Sequence, residues 1–101
     1  MNTEWITLTA NDGHELDAFS VIANDPIGNI VVIQEIFGIT DHIQTVCQKF
    51  ATNGYNVVAP AIYDRFEKNI TLDYSQIEEG VGYKMKLEDD YAMSLNKLKT
   101  K

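Results

Sequence analysis

Residues 29–42 read Asn-Ile-Val-Val-Ile-Gln-Glu-Ile-Phe-Gly-Ile-Thr-Asp-His, and their character changes once, abruptly. Ile30, Val31, Val32 and Ile33 are four apolar residues in a row, the pattern of a strand buried on both faces. Polarity returns at Gln34 and Glu35, and Gly38 leads to a helix start at Thr40 and Asp41. This predicts a strand over 30–34 with the Glu35 carboxylate at the carboxyl end of a central strand. Open α/β sheets bind ligands at such an edge.

Downstream of this stretch, Ile43, Val46, Cys47, Phe50 and Ala51 recur at helical spacing and draw one apolar stripe over about three turns. Asp41 with Gln44 three residues later resembles a capping box, and Asn53-Gly54 is the expected stop. Residues 55–60, Tyr-Asn-Val-Val-Ala-Pro, read as a second buried strand, so 30–60 forms a βαβ unit with a right-handed crossover. Upstream, residues 4–9 and 15–22 are extended in character and flank Asp12-Gly13, which suits a hairpin turn. Asn24, Asp25, Pro26 and Gly28 mark the loop between hairpin and strand.

Residues 61–82 predict mostly loop with a short helix, because Gly80 and Gly82 interrupt any helix begun near Ser75. From about Lys86 a second crossover helix is expected, with Leu87, Tyr91, Leu95 and Leu98 on one face and Glu88, Asp89 and Asp90 near its start. No strand pattern follows. Read this way, residues 1–101 form a single partial α/β domain whose parallel sheet has an unpaired edge, the front half of a larger fold.

Composition narrows the function. Eight Lys and Arg against 15 Asp and Glu give a formal charge of −7, which repels a nucleic-acid backbone and an anionic membrane surface. No apolar run approaches a membrane span and the first residues lack the marks of a signal peptide, so a cytoplasmic location is expected. One Cys cannot form an internal disulfide, and with two separated His it gives no zinc spacing.

Among single residues, Glu35 has the strongest claim to chemistry, although a strand-end Glu beside a helix start is also simply well solvated. The amide of Ile36 is a candidate oxyanion donor. Cys47 lies on the apolar stripe and reads as a buried, inert thiol. His14 belongs to the hairpin turn and His42 to the helix surface. Asp64 and Arg65 follow the second strand at its carboxyl end, as pocket residues or as a local ion pair. Tyr83, Tyr91 and Met93 read as core. There is no Gly-x-Ser-x-Gly or Gly-x-Cys-x-Gly elbow, no Gly-x-Gly-x-x-Gly and no Walker pattern.

The run Val31-Val32-Ile33-Gln34-Glu35-Ile36-Phe37-Gly38-Ile39 with Asp41-His42-Ile43 closely resembles the dienelactone hydrolase (carboxymethylenebutenolidase) family of α/β-hydrolases. The likeness continues through residues 51–60 and Ile62-Tyr63-Asp64-Arg65. It implies an amino-terminal part of an α/β-hydrolase fold, with an antiparallel hairpin, then a parallel βαβ unit, then a further helix. It also implies ester or lactone hydrolysis by a Cys-His-Asp triad, without a cofactor or metal. Glu35 would contact the nucleophilic thiol, and the Ile36 amide would help form the oxyanion hole. Phe37, Asp64 and Arg65 would line the substrate pocket. The family's triad lies further along the chain than these residues reach, and Cys47 does not match its nucleophile. The family's substrate-binding Arg has no counterpart, since Ile77-Glu78-Glu79-Gly80 stands in that region.

Two functions follow as expectations. The first is a hydrolase fragment, inactive alone, that acts on a small ester or lactone when completed by a carboxyl-terminal half. The second is a non-catalytic α/β module that pairs through its open sheet edge, with another copy or with a complementary chain.

Overall fold

In the computed structural model, which describes residues 2–99 and the side chains of residues 2–89, the hairpin is formed by β1 (Asn2–Thr9) and β2 (Glu15–Ile22). They pair antiparallel with Thr9 opposite Glu15, and Asp12 and Gly13 lie in the turn, as the sequence implies. The Asp12 carboxylate accepts the His14 N–H at 3.1 Å and receives Arg65 at 2.8 Å, tying the turn to a residue 53 positions along the chain. The guanidinium of Arg65 and, after it, the His14 N–H hold the Asp12 carboxyl below the usual carboxylate range. A depressed pKa contributes stability that is present above the unfolded value and is lost as pH falls through the folded one. Acid titration of Asp12→Asn should therefore lose stability less steeply than the parent in that window.

β3 (Gly28–Val31) and β4 (Tyr55–Pro60) complete one mixed sheet of order β1-β2-β4-β3, in which β4 runs antiparallel to β2 and parallel to β3. The parallel β3-α1-β4 unit is thus present, with α1 (Asp41–Thr52) as its helix. Two expectations for β3 are corrected. It begins two residues early and ends at Val31, and it is the edge strand of this sheet, not a central one. Nor is it buried on both faces: Val31 and Ile33 are 60% and 67% exposed, while Ile30 and Val32 are half-buried. Alternation explains this, since α1 covers the face carrying Val32 and the intervening side chains point the other way.

The core lies between that face and the helix. Phe19 and Val21 of β2, Val57 and Ala59 of β4, and Ile39, Ile43, Cys47 and Ala51 enclose one apolar cluster. The predicted stripe supplies three of its five members to this core; Val46 is half-buried and Phe50 is 39% exposed. The N-cap is Thr40, whose hydroxyl accepts the Ile43 N–H at 3.3 Å; the capping box expected on Asp41 and Gln44 is therefore absent, since Ile43 holds the third helical position and Gln44 turns instead to the Ile39 carbonyl. At the other end Asn53 is the C-cap and Gly54 takes φ +100°, as the Asn53-Gly54 stop requires.

After β4 the chain turns through a 3-10 helix, Ile62–Arg65, and a loop into α2 (Ile77–Lys99). This corrects the expected start near Lys86, because the helix runs through both Gly80 and Gly82. Packing outweighs propensity at Gly80, where a Cβ would stand 2.9 Å from the Ile36 carbonyl oxygen. Leu87 is half-buried; the side chains of Tyr91, Met93, Leu95 and Leu98 lie outside the described residues. No helix among the described residues is long and apolar enough to cross a membrane.

Candidate functional site

The turn after β3 is held by backbone bonds that local sequence does not announce. Gly38 N–H donates to the Glu35 carbonyl at 3.0 Å, and Leu72 N–H donates to the Phe37 carbonyl at 2.7 Å. Between them, the Tyr63 hydroxyl donates to the Ile36 carbonyl at 2.8 Å and lies 3.3 Å from the Gly80 carbonyl. Burial pushes the Tyr63 phenol above its ordinary range, so the hydroxyl donor persists further into alkaline pH than a free tyrosine would. Three successive carbonyls, of Glu35, Ile36 and Phe37, are therefore fixed. The Ile36 N–H has no hydrogen-bond partner among the described residues.

The Glu35 side chain is placed just as firmly. Its Oε1 accepts the Thr40 hydroxyl at 2.8 Å and the Tyr74 hydroxyl at 3.1 Å. Thr40 thus serves twice, capping α1 through its lone pair and holding Glu35 through its proton. Tyr74 also meets Phe37 edge to face at 4.8 Å, so the loop over 66–76 straps the turn from outside. Glu35 and Ile36 open on a cavity of about 190 Å³ whose other walls are Gln34, Ile62, Tyr63, Lys84 and Leu87. Apart from Glu35 and Lys84, which pairs with Glu88 at 2.5 Å, that lining is uncharged. A carboxylate, an unengaged amide and an apolar wall are the elements an acyl-transfer site assembles around a carbonyl.

The other expected residues lie apart from this cavity. Asp64 is 5% exposed and accepts the N–H of Asp17 at 2.8 Å and of Asn69 at 3.3 Å, with Lys68 at 3.5 Å. It lines a second cavity of about 350 Å³ with Trp5, Asp17 and Ile39. Arg65 is committed to Asp12 and borders a third cavity with His14 and Leu87. His14 contacts the Asp64 carbonyl through Nε2 at 3.2 Å, and His42 is exposed on α1. No group of three His, Cys, Asp or Glu among the described residues could hold a metal ion.

Cys47 is fully buried and unpaired, and desolvation raises its thiol above the ordinary range. The sign follows directly: a raised folded pKa contributes stability below the unfolded value, and that contribution is lost as pH rises through the folded one. A thiol reagent at pH 8 should leave the native chain unmodified and label it stoichiometrically in denaturant. Labelling of the native protein at the denatured rate would contradict this placement.

Thr40, Tyr63, Tyr74 and Gly80 also build the site, although none of them is among the residues expected there. Thr40 carried a partial signal, since Thr is a preferred N-cap, but Asp41 beside it ranks higher and drew the expected cap one residue on. The tyrosines and Gly80 carried none, because their contacts with the turn span at least 27 residues for Tyr63 and 39 for Tyr74.

The model of the dienelactone hydrolase family matches residues 16–101. The chain belongs to that family. A Yersinia pestis protein provisionally named carboxymethylenebutenolidase is 36% identical over 87 residues, covering 83% of this chain and 32% of the relative. A similarly named protein of Synechocystis is 42% identical over 60 residues, which are 59% of this chain and 24% of that one. Among solved structures, a protein of Klebsiella pneumoniae provisionally called a dienelactone hydrolase superposes with a TM-score of 0.54 at 28% identity, over 67% of this chain and 30% of its own. The chain thus spans about a third or less of each of these three proteins. In this dienelactone hydrolase relative, the hairpin, the mixed βαβ unit and the additional helix are those of an α/β-hydrolase-like fragment.

Proposed function

We propose that residues 1–101 supply one side of an ester- or lactone-hydrolysing site, carrying the carboxylate that addresses a thiol nucleophile and one donor of the oxyanion hole. The observation that carries this reading is the turn at 35–38: Glu35 is held by two hydroxyls, beside an Ile36 N–H with no partner among the described residues. In such a site a thiolate attacks the ester carbonyl and the oxygen gains charge as the tetrahedral adduct forms. The Ile36 amide stabilises that charge, the alcohol departs, and water cleaves the thioester. The amide is worth about 3 kcal/mol in the transition state if it behaves as oxyanion donors generally do.

The thiol, its His and its Asp are not supplied by these residues. No elbow sequence is present and the one Cys is enclosed in the core. The chain alone is accordingly expected to show no turnover of p-nitrophenyl acetate above buffer. Turnover that Glu35→Gln abolishes would overturn that expectation.

A second reading rests on β3. Its outer edge is unpaired among the described strands, and Val31 and Ile33 are exposed beside it. An edge of this kind is a template for another strand. We propose that it is closed by further polypeptide, from a complementary half or from a second copy. Native mass spectrometry decides: a strictly monomeric, cooperatively folding chain would tell against closure by a partner.

A further inference from the structure

Within the turn that presents Ile36, one side chain reaches across to a different element. Gln34 donates through Nε2 to the Glu35 carbonyl at 3.1 Å and accepts through Oε1 the Ile62 N–H at 3.0 Å. The two bonds fix the amide's orientation, since a carbonyl needs a donor and an N–H needs an acceptor; turning the group over would break both. The Glu35–Ile36 peptide is trans, so its carbonyl and its N–H point in opposite directions. Whatever fixes the Glu35 carbonyl therefore also aims the Ile36 N–H.

Two donors reach that carbonyl. Gly38 N–H comes from within the turn, which Tyr63 and Leu72 hold only through the next two carbonyls, of Ile36 and Phe37. Gln34 refers the same carbonyl to Ile62, at the start of the 3-10 helix that follows β4. We infer that Gln34 is a positioning residue, whose side-chain amide sets the direction of the Ile36 N–H relative to the sheet. It acts through the peptide and need not touch substrate. The inference rests on reading Ile36 as an oxyanion donor, and it assigns the aiming of that donor to Gln34.

The test uses the uniformly ¹⁵N-labelled chain and reads the Ile36 and Ile62 amides by relaxation and hydrogen exchange. Gln34→Glu keeps an acceptor for Ile62 but loses the donor to Glu35; Gln34→Met loses both. With Gln34→Glu, Ile36 should fall from an order parameter of about 0.85 to below about 0.6 while Ile62 stays protected. With Gln34→Met, both should become mobile, and the amides of Val57 and Ala59 should remain unchanged in each variant. An Ile36 amide as ordered in both variants as in the parent, with those sheet amides intact, would overturn the inference. Loss of order at every amide in Gln34→Met but not in Gln34→Glu would likewise do so, because it would make Gln34 a general stabiliser. The readout does not depend on hydrolysis. A disordered Ile36 in a completed enzyme that hydrolyses normally would instead refute the oxyanion role of Ile36 and leave the anchoring by Gln34 standing.

Discussion

Replacing Gly38 by Ala should destabilise the chain by about 3 kcal/mol or more, measured by urea unfolding. Two effects combine. Gly38 has φ +94°, a conformation that a side chain disfavours by roughly 1–2 kcal/mol. A Cβ there would also collide with the Ile70 carbonyl oxygen, a backbone atom that cannot swing aside. Gly13 separates the two, because its φ is +86° but nothing lies within 4 Å of the position a Cβ would take. Gly13→Ala should cost only the conformational part, so the difference between the variants measures the close approach of loop and turn. Equal effects would mean that the loop over 66–76 does not press on the turn as the structure has it.

The second large effect is expected at Asp64. Its carboxylate joins β2, through Asp17 N–H, to the tight bend at Asn69, whose φ of 62° is left-handed, and Lys68 lies alongside. Asp64→Ala would strand two partly buried N–H donors, at a cost of about 3 kcal/mol, while the exposed Lys68 keeps Asp17 at 3.6 Å. The bend leads directly to Ile70 and Thr71, which meet Gly38. Damage at Asp64 should therefore travel to the strap and release Tyr74 from Glu35. Asp64→Asn keeps one acceptor oxygen and should cost about half as much. A stability loss at Asp64→Ala below about 1 kcal/mol would contradict this role.

These two residues also show what could be read in advance. The hairpin, the helix with its Gly54 stop, and β4 were legible because each rests on a local pattern: alternation, an i, i+3, i+4 stripe, a residue able to take positive φ. The resemblance at residues 31–39 pointed at once to Glu35 and Ile36. β3 misled because four apolar residues in a row look alike whether a strand lies in the middle of a sheet or at its edge. Gly80 and Gly82 misled because propensity ranks glycine poorly in helices, whereas Gly80 is chosen by the Ile36 carbonyl against it. Asp64, expected at the pocket, is taken up by amides from two other segments, and Arg65 by a carboxylate 53 residues away. Contacts of that range leave no trace in spacing.

The pattern that emerges around the turn is one of support from three directions. Thr40 reaches it from the helix cap, Tyr63 from the 3-10 helix and Tyr74 from the strap. Such convergence holds a carboxylate and an amide at fixed positions, as the proposed oxyanion role would require.

The most direct measurement is made on a chimera in which residues 1–101 replace the matching segment of the Yersinia pestis relative, assayed on a small ester or lactone that the relative itself hydrolyses. The chimera should hydrolyse that substrate and lose at least about 100-fold in kcat/KM on Glu35→Gln, with the folded structure retained. A folded chimera whose activity is indifferent to Glu35→Gln would contradict it.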